Sequence, residues 1–183
     1  MGIPAVRERA SLPDQNQLAR FELLIVPHMK AAYNLARWLT RNDHDAEDVV
    51  QEAYLRAYRF FGGFQGADGR AWLLAIVRNT CNTWLQQNRR LTPEENLFEA
   101  ESREPNPEAA VIGNIDRELL RRAIEDLPGD FREAIVLREM EGLSYKEIGA
   151  ITGVPVGTVM SRLARARARL ARALGKSSAG GVA

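Results

Sequence analysis

The sequence predicts an all-α protein in which two small helical domains are joined by a flexible acidic linker. Apolar residues recur three or four positions apart along most of the chain, and no segment alternates apolar and polar residues as a strand would. Between the two helical parts, positions 91–114 carry three prolines among glutamates and lack this periodicity. Such a composition is typical of a linker.

Four helices are predicted in the N-terminal part of the chain. The first apolar stripe stops at Pro27, because proline interrupts the hydrogen bonding of a helix interior. Asp43 or Asp45 is a suitable N-cap for the third helix. Four glycines between positions 62 and 69 predict a loop before the fourth helix. The predicted helices cover 18–25, 29–39, 45–61 and 70–88.

The C-terminal part predicts four more helices, and the last two form a helix-turn-helix. Ser144 and Glu147 match a capping box, Gly153 marks the turn, and Pro155 suits the first position of the next helix. The predicted helices cover 116–126, 130–140, 144–152 and 155–174.

The last of these helices carries an apolar stripe beside a cationic one. The apolar stripe consists of Val159, Leu163, Ala166, Leu170 and Leu174, and the cationic stripe of Arg162, Arg165, Arg169, Arg172 and Lys176. Positions 158–176 hold six basic residues and no acidic one. After a tight turn, this pattern is typical of a helix in the major groove of DNA. A solvated face or an amphipathic surface for a membrane or partner is the alternative.

Composition narrows the possible functions. The single cysteine, Cys81, excludes an internal disulfide and a cysteine-clustered zinc site, and it is expected to be a buried thiol. His28 and His44 are the only histidines, and the glycine-rich loop lacks the ending of a phosphate-binding loop. No stretch approaches the roughly 18 apolar residues of a membrane span. We therefore expect a cytoplasmic protein that is not an enzyme and uses no cofactor or metal.

Two blocks of sequence, in this order, resemble a bacterial sigma factor of the sigma-70 family. The first is DAEDVVQEAYLRAY at 45–58, followed by the glycine-rich loop and by RAWLLAIVRNT at 70–80. The second is the segment 127–170, which contains the helix-turn-helix. The absence of other domains makes the chain similar to the extracytoplasmic-function (ECF) class, which has only regions 2 and 4.

The resemblance implies a domain plan. Positions 14–90 form a region 2-like helical bundle, 91–114 the acidic linker, 115–176 a region 4-like helix-turn-helix domain, and 177–183 a disordered tail. In the family the linker enters the polymerase along the path of the RNA, although a plain solubilising tether is the alternative here.

The resemblance implies that the last helix reads the −35 promoter element. Its candidate contacts are Thr158, Ser161, Arg162, Arg165, Arg169 and Arg172. Arg165 suits a bidentate contact to guanine, whereas Arg169 and Arg172 are better placed for phosphates. Met160 stands where some relatives carry a basic residue, and it packs against either a thymine methyl group or its own domain. For Arg167, a solvated or ion-paired side chain is the alternative to DNA contact.

The same resemblance implies that the third helix docks on the coiled coil of the polymerase β′ subunit. An acidic rim with apolar residues between the acids fits this role, and a solvated run of charge is the alternative. The candidate docking residues are Asp45, Glu47, Asp48, Val50, Gln51, Glu52 and Tyr54.

Opening of the DNA near −10 is assigned by the resemblance to the glycine-rich loop and the start of the fourth helix. Phe64 and Trp72 are candidate stacking surfaces for an extruded base. Core packing is the alternative for Trp72, and anchoring of the loop is the alternative for Phe64. The full candidate set is Phe64, Arg70, Trp72, Arg78, Asn79 and Arg89.

These expectations describe a subunit that binds core RNA polymerase, directs it to promoters and starts promoter melting. The implied partners are the β′ coiled coil, the β subunit, promoter DNA and an anti-sigma factor. A stand-alone helix-turn-helix regulator that binds duplex DNA as a dimer is the alternative.

Overall fold

The computed structural model describes residues 15–66, 68–91 and 111–179, and it contains no strand in these ranges. The predicted all-α fold class with two helical domains is therefore confirmed. The helices are α1 (Gln15–Leu24), α2 (Met29–Thr40), α3 (Asp43–Phe60), α4 (Gly69–Leu91), α5 (Val111–Glu125), α6 (Gly129–Ile135), α7 (Tyr145–Thr152) and α8 (Val156–Ala179). Short 3₁₀ turns occupy Val26–His28 and Phe61–Gly63, and a π-helical turn, Val136–Met140, continues α6.

The N-terminal domain is a bundle in which α2, α3 and α4 pack against one another. Leu35, Val49 and Leu73 come from these three helices and are almost fully buried. Each such side chain contributes roughly 1.5–3 kcal/mol when it leaves water. The ring of Phe21, from α1, stands edge-on to Phe61 with the centroids 5.2 Å apart, which fixes α1 to the end of α3.

The start of α3 differs from the sequence expectation in its cap. Asn42 is the N-cap, and its side-chain oxygen accepts a hydrogen bond from the backbone N–H of Asp45 at 3.1 Å. Asp43 lies inside the first turn, where its charge suits the helix dipole. The chain reaches this cap through Arg41, which has a left-handed backbone with φ of 64°. The turn at Arg41 places Asn42, with an extended backbone, directly before the helix. Asn42 is therefore the residue in position to cap it.

In the C-terminal domain, α8 lies against α5, α6 and α7. The predicted apolar stripe is its inner face: Val159, Leu163 and Ala166 are at most 1 % exposed. Two helices are longer than the sequence predicted. Helix α5 begins at Val111 and not at position 116, and α8 continues to Ala179 and not only to position 174. The rest of the predicted linker, 92–110, and residues 180–183 lie outside the described residues.

The two domains pack against each other, with α4 beside α7 and α2 beside α6. Buried residues of both domains form a continuous apolar cluster that includes Leu35, Val77 and Cys81 on one side and Leu137 and Ile148 on the other. The predicted burial of the Cys81 thiol is confirmed, and this burial raises the pKa of the thiol to about 12.

Candidate polymerase and nucleic-acid interfaces

An apolar groove of about 910 Å³ runs between α1, α2 and α3 on the outer side of the N-terminal domain. Four of the seven predicted docking residues line it. These are Glu47, Val50, Gln51 and Tyr54. Burial raises the pKa of Tyr54 to about 12, so its hydroxyl stays protonated and donates to the carbonyl oxygen of Ile25. The groove therefore offers an apolar floor with few polar groups.

The three remaining docking candidates form a separate acidic strip. Asp45, Asp48 and Glu52 follow one another at i, i+3 and i+7, so they share one face of α3, and none of them lines the groove. Glu52 forms an ion pair with Arg56 at 2.7 Å. Partial burial raises the pKa of Asp45, and the neighbouring charge of Asp48 adds to this rise. The expected acidic rim is thus on the side of the helix next to the groove.

Several groove residues were missed by the sequence reasoning. Leu18 and Met29 lie in the first two predicted helices without a role assigned to them, and they are 38 % and 50 % exposed and line the groove. Leu55 is 59 % exposed and lines it as well. A helical period shows that an apolar residue belongs to a stripe. It does not show whether that residue faces the core or a groove at the surface. Leu55 was a sequence signal of this groove, because it is a large apolar residue outside the buried stripe of α3.

The two predicted base-stacking residues lie in an aromatic cluster. Phe64 is 7 % exposed, and its ring centroid is 4.8 Å from that of Trp72 and 5.7 Å from that of Phe61. Phe64 is therefore packed as a loop anchor in this arrangement, which is the alternative that the sequence left open. Trp72 is half-buried. Gly69 closes the loop so tightly that a Cβ there would lie 2.2 Å from the Leu24 carbonyl oxygen.

The predicted −10 arginines meet acidic residues of the other domain. Arg78 donates to Glu133 at 2.8 Å, and Arg70 donates to Glu141 at 2.7 Å. Both glutamate side chains are 5 % exposed, so these ion pairs belong to the contact between domains. Burial raises the pKa of the Glu133 carboxyl, and the hydrogen bond and charge of Arg78 oppose this rise. In this arrangement, Arg70 and Arg78 each bind a carboxylate of the other domain.

The other two members of the −10 set are placed differently. Asn79 is exposed, next to Arg78, whose guanidinium donates to the Asn79 side-chain oxygen at 3.5 Å. Arg89 lies in the last turn of α4, and its side chain is outside the described part of the structure.

The helix-turn-helix has the local geometry that its sequence predicts. Ser144 and Glu147 form both hydrogen bonds of a capping box, which lowers the pKa of the Glu147 carboxyl. Gly153 has φ of 71°, the left-handed conformation that ends α7. A Cβ at Gly149 would lie 2.9 Å from the carbonyl oxygen of Val154, so glycine allows α7 to approach the turn.

The predicted −35 residues divide into those that face outward and those that are held by the domain. Ser161 and Arg165 are exposed, and among the described residues Arg165 has no ion pair. Arg162 instead pairs with Asp130 at 2.7 Å and is only 20 % exposed. Thr158 is half-buried beside them. The outward side of the first turns is therefore formed around Ser161 and Arg165.

Farther along α8, the cations are exposed but touch their own domain. The guanidinium of Arg169 lies 5.6 Å from the centre of the Phe131 ring, and Arg172 donates to the Ala168 carbonyl oxygen at 3.2 Å. Arg167 pairs with Glu139 at 2.6 Å, so the ion-paired alternative is the arrangement observed. Exposed ion pairs of this kind contribute little to stability, about 0–1 kcal/mol, and they exchange readily for phosphates.

Within the part of the chain that the structure describes, no cluster of His, Cys, Asp and Glu side chains is suited to hold a metal ion. None of the described helices combines the length and the apolar character that a bilayer crossing requires.

Models of known protein families match both domains. The family model for sigma-70 region 2 matches residues 24–91, and the model for sigma-70 region 4 matches residues 117–170. The chain belongs to the sigma-70 family of RNA polymerase sigma factors, as its resemblance predicted. The domain boundaries given above from the sequence stay predictions.

Individual relatives identify the class within the family. The chain is 40 % identical to the ECF RNA polymerase sigma-E factor of Escherichia coli (strain K12) over 172 residues, which covers 87 % of each chain. It is 36 % identical to the ECF RNA polymerase sigma factor SigE of Mycolicibacterium smegmatis, covering 95 % of this chain and 66 % of that protein. The chain is therefore of the ECF class.

A solved structure is similar across both domains. It is the sigma factor RpoE of Bartonella quintana in complex with the anti-sigma factor NepR. The match has a TM-score of 0.70 and 30 % sequence identity, and it covers 85 % of this chain and 97 % of that chain.

Proposed function

We propose that this chain binds core RNA polymerase, directs it to specific promoters and starts the melting of the DNA there. The observation that carries this proposal is the occurrence of both family regions, in order, on one chain with an accessible apolar groove and an open recognition helix. Catalysis of RNA synthesis belongs to the polymerase, so the chain needs no cofactor or reaction chemistry of its own. It acts in the cytoplasm, where the polymerase meets the chromosome.

Core polymerase docks on the groove of the N-terminal domain and on the acidic strip of Asp45, Asp48 and Glu52. A coiled coil of the β′ subunit presents a helical face, and an apolar groove between helices is the surface that such a face fits. The acids beside the groove add charge complementarity to basic residues of the partner. The β subunit is the second contact of the chain on the enzyme.

The −35 element is read by the outward face of α8. Arg165 is exposed and has a guanidinium suited to the O6 and N7 acceptors of guanine, while Ser161 lies one turn before it. Arg169 and Arg172 hold the phosphate backbone, and Arg162 joins them when it leaves Asp130. Thr158 stands at the start of this face.

Recognition of the −10 element requires the domains to separate. Arg70 and Arg78 hold Glu141 and Glu133 in the packed arrangement, so they reach DNA phosphates only after α4 leaves the C-terminal domain. Asn79 and Arg89 lie on the same helix and contact the displaced strand from there. Trp72 offers its ring to a base, and Phe64 supports that ring from behind.

A similar sigma factor forms a complex with an anti-sigma factor, which supports a partner of this kind for this chain. The apolar groove is the surface that such a partner covers to block polymerase docking. The partner and the polymerase then compete for the same residues.

Reconstitution with bacterial core polymerase tests the proposed function. Leu55→Arg places a charge in the groove and should lower association with core at least tenfold, because apolar contacts at the centre of an interface carry most of its energy. Leu23→Arg is the matched control: Leu23 is 74 % exposed in the same domain and does not line the groove.

The readout is run-off transcription from promoters that core polymerase alone ignores, together with co-elution of the chain with core. The wild-type chain and Leu23→Arg should support specific initiation. A chain that binds duplex DNA tightly as a dimer, and never changes where core polymerase initiates, contradicts the proposal.

A further inference from the structure

An uncharged apolar side chain projects from the first turns of α8. Met160 is 53 % exposed, and Val156, one helical turn before it, is 42 % exposed. Every other large apolar residue of the first three turns, Val159 and Leu163, is buried. About half of the Met160 surface is therefore open to solvent, and packing into its own domain does not cover the whole side chain.

The neighbours of Met160 leave it free to reach away from the helix. Gly157 precedes it by three positions, and a Cβ added at Gly157 would meet nothing within 4 Å. Ala164 follows it by one turn on the same side and ends at its methyl group. Ser161 and Arg165, which are exposed, lie on the neighbouring face of α8.

The chemistry of a base edge limits what such a residue can recognise. Among the groups that base pairs present in the major groove, the thymine C5-methyl is the apolar one. A methionine side chain is flexible and polarisable, so it adapts to a methyl group more readily than a branched residue does. A neutral side chain gains nothing from a phosphate, so backbone contact does not account for it.

We propose that Met160, backed by Val156, selects a thymine at one base pair of the −35 element by packing against its C5-methyl group. This assignment rests on the proposed role of α8 in reading that element. It adds an apolar specificity contact to the polar contacts of Ser161 and Arg165, and it predicts a preference that hydrogen bonding alone does not create.

The first experiment measures base preference with the reconstituted holoenzyme on a promoter library randomised across the −35 element. Sequencing of the transcripts should show a thymine preference at one position for the wild-type chain. Met160→Ala should lose that preference while it keeps the others. Met140→Ala is the matched control, since Met140 is 41 % exposed in the same domain but outside α8, and it should behave as wild type.

The second experiment uses the wild-type chain, so the fold of a variant does not enter. Deoxyuridine replaces thymidine at the selected position, which removes the methyl group and keeps every hydrogen-bonding atom. Promoter binding by the wild-type holoenzyme should fall about fourfold, equivalent to about 0.8 kcal/mol for one buried carbon group. Binding by the Met160→Ala holoenzyme should not change.

Three results would overturn the assignment. One is an equal thymine preference in Met160→Ala and wild type, and another is equal binding of the thymidine and deoxyuridine promoters by wild type. In both, specific initiation by the wild-type chain shows that the proposed sigma function itself stands. Failure of the wild-type chain to direct initiation on any library member overturns the proposed function and this assignment together.

Discussion

The two sets of arginines assigned to DNA differ in what they touch. In the N-terminal domain, Arg70 and Arg78 hold buried glutamates of the other domain. On α8, Arg165 is exposed with no ion pair among the described residues, and Arg162 pairs with Asp130, whose side chain is 64 % exposed. The N-terminal arginines are thus held by buried carboxylates, whereas on α8 one arginine is open and another has an exposed partner.

Under the proposed roles, the packed arrangement does not bind both promoter elements at once. The face of α8 proposed for the −35 element is open, whereas the arginines proposed for the −10 element pair with carboxylates of the other domain. Domain separation exposes this second face, because Arg70 and Arg78 then leave their carboxylates and regain contact with water.

The largest effect is expected for Arg165→Ala, which removes the open guanidinium. Loss of a bidentate contact to guanine should cost about 1–3 kcal/mol in promoter use and relax selectivity at one −35 position. Arg167→Ala, whose side chain pairs with Glu139, is the matched control and should change promoter use much less. Run-off transcription on promoters with single −35 changes measures both. An equal loss on every sequence would show that Arg165 holds phosphate instead.

A smaller gain of about tenfold is expected when the covered arginines are released. The double substitution of Glu133 and Glu141 by lysine sets like charges against Arg78 and Arg70 across the contact between the domains. The free chain should then bind a single-stranded −10 oligonucleotide more tightly, because like charges at such a contact repel and disfavour the packed state by about one to a few kcal/mol. Fluorescence anisotropy with a labelled oligonucleotide measures the change.

Glu139→Lys is the control for this experiment. It reverses an exposed charge whose partner, Arg167, is in the same domain, so oligonucleotide binding should stay at the wild-type level. Equal binding by the double variant and wild type would mean that the two glutamates do not cover the −10 face.

The smallest effect is a dependence of domain packing on pH. Burial raises the pKa of Glu133 above its usual value of 4.5, so the packed state binds a proton more readily than the separated state does. Packing should therefore strengthen as pH falls toward that range and weaken as pH rises through the raised pKa. The charged and titratable groups that influence Glu133 or sense its charge are Arg78, Asp130, Arg162 and Cys81.

Energy transfer between dyes on the two domains, followed from pH 8 to pH 5, measures this packing. The wild-type chain should become more compact at the acidic end, and Glu133→Gln should show a smaller slope. A slope that is the same in both chains would assign the dependence to other groups.

Much of this architecture was predictable because its causes are local. Helix periodicity, the capping box at Ser144 and Glu147, and the left-handed Gly153 depend on residues a few positions apart. The buried stripe of α8 follows from the same periodicity, and it fixes which arginines face outward. The cap at Asn42 was missed, since Asp43 and Asp45 are equally good capping residues by type and only the backbone turn at Arg41 decides among them.

The class of fold, the helix-turn-helix and the family were predictable from the sequence, because they rest on spacing along the chain. Packing of the helices sets which apolar residues form a groove, brings Phe64 against Trp72, and pairs Arg70 and Arg78 with glutamates 71 and 55 positions away. Such contacts join residues far apart in the sequence, and no local sequence pattern indicates which residues pair. Burial and charge pairing are properties of the assembled surfaces, so they appear only when the helices are packed.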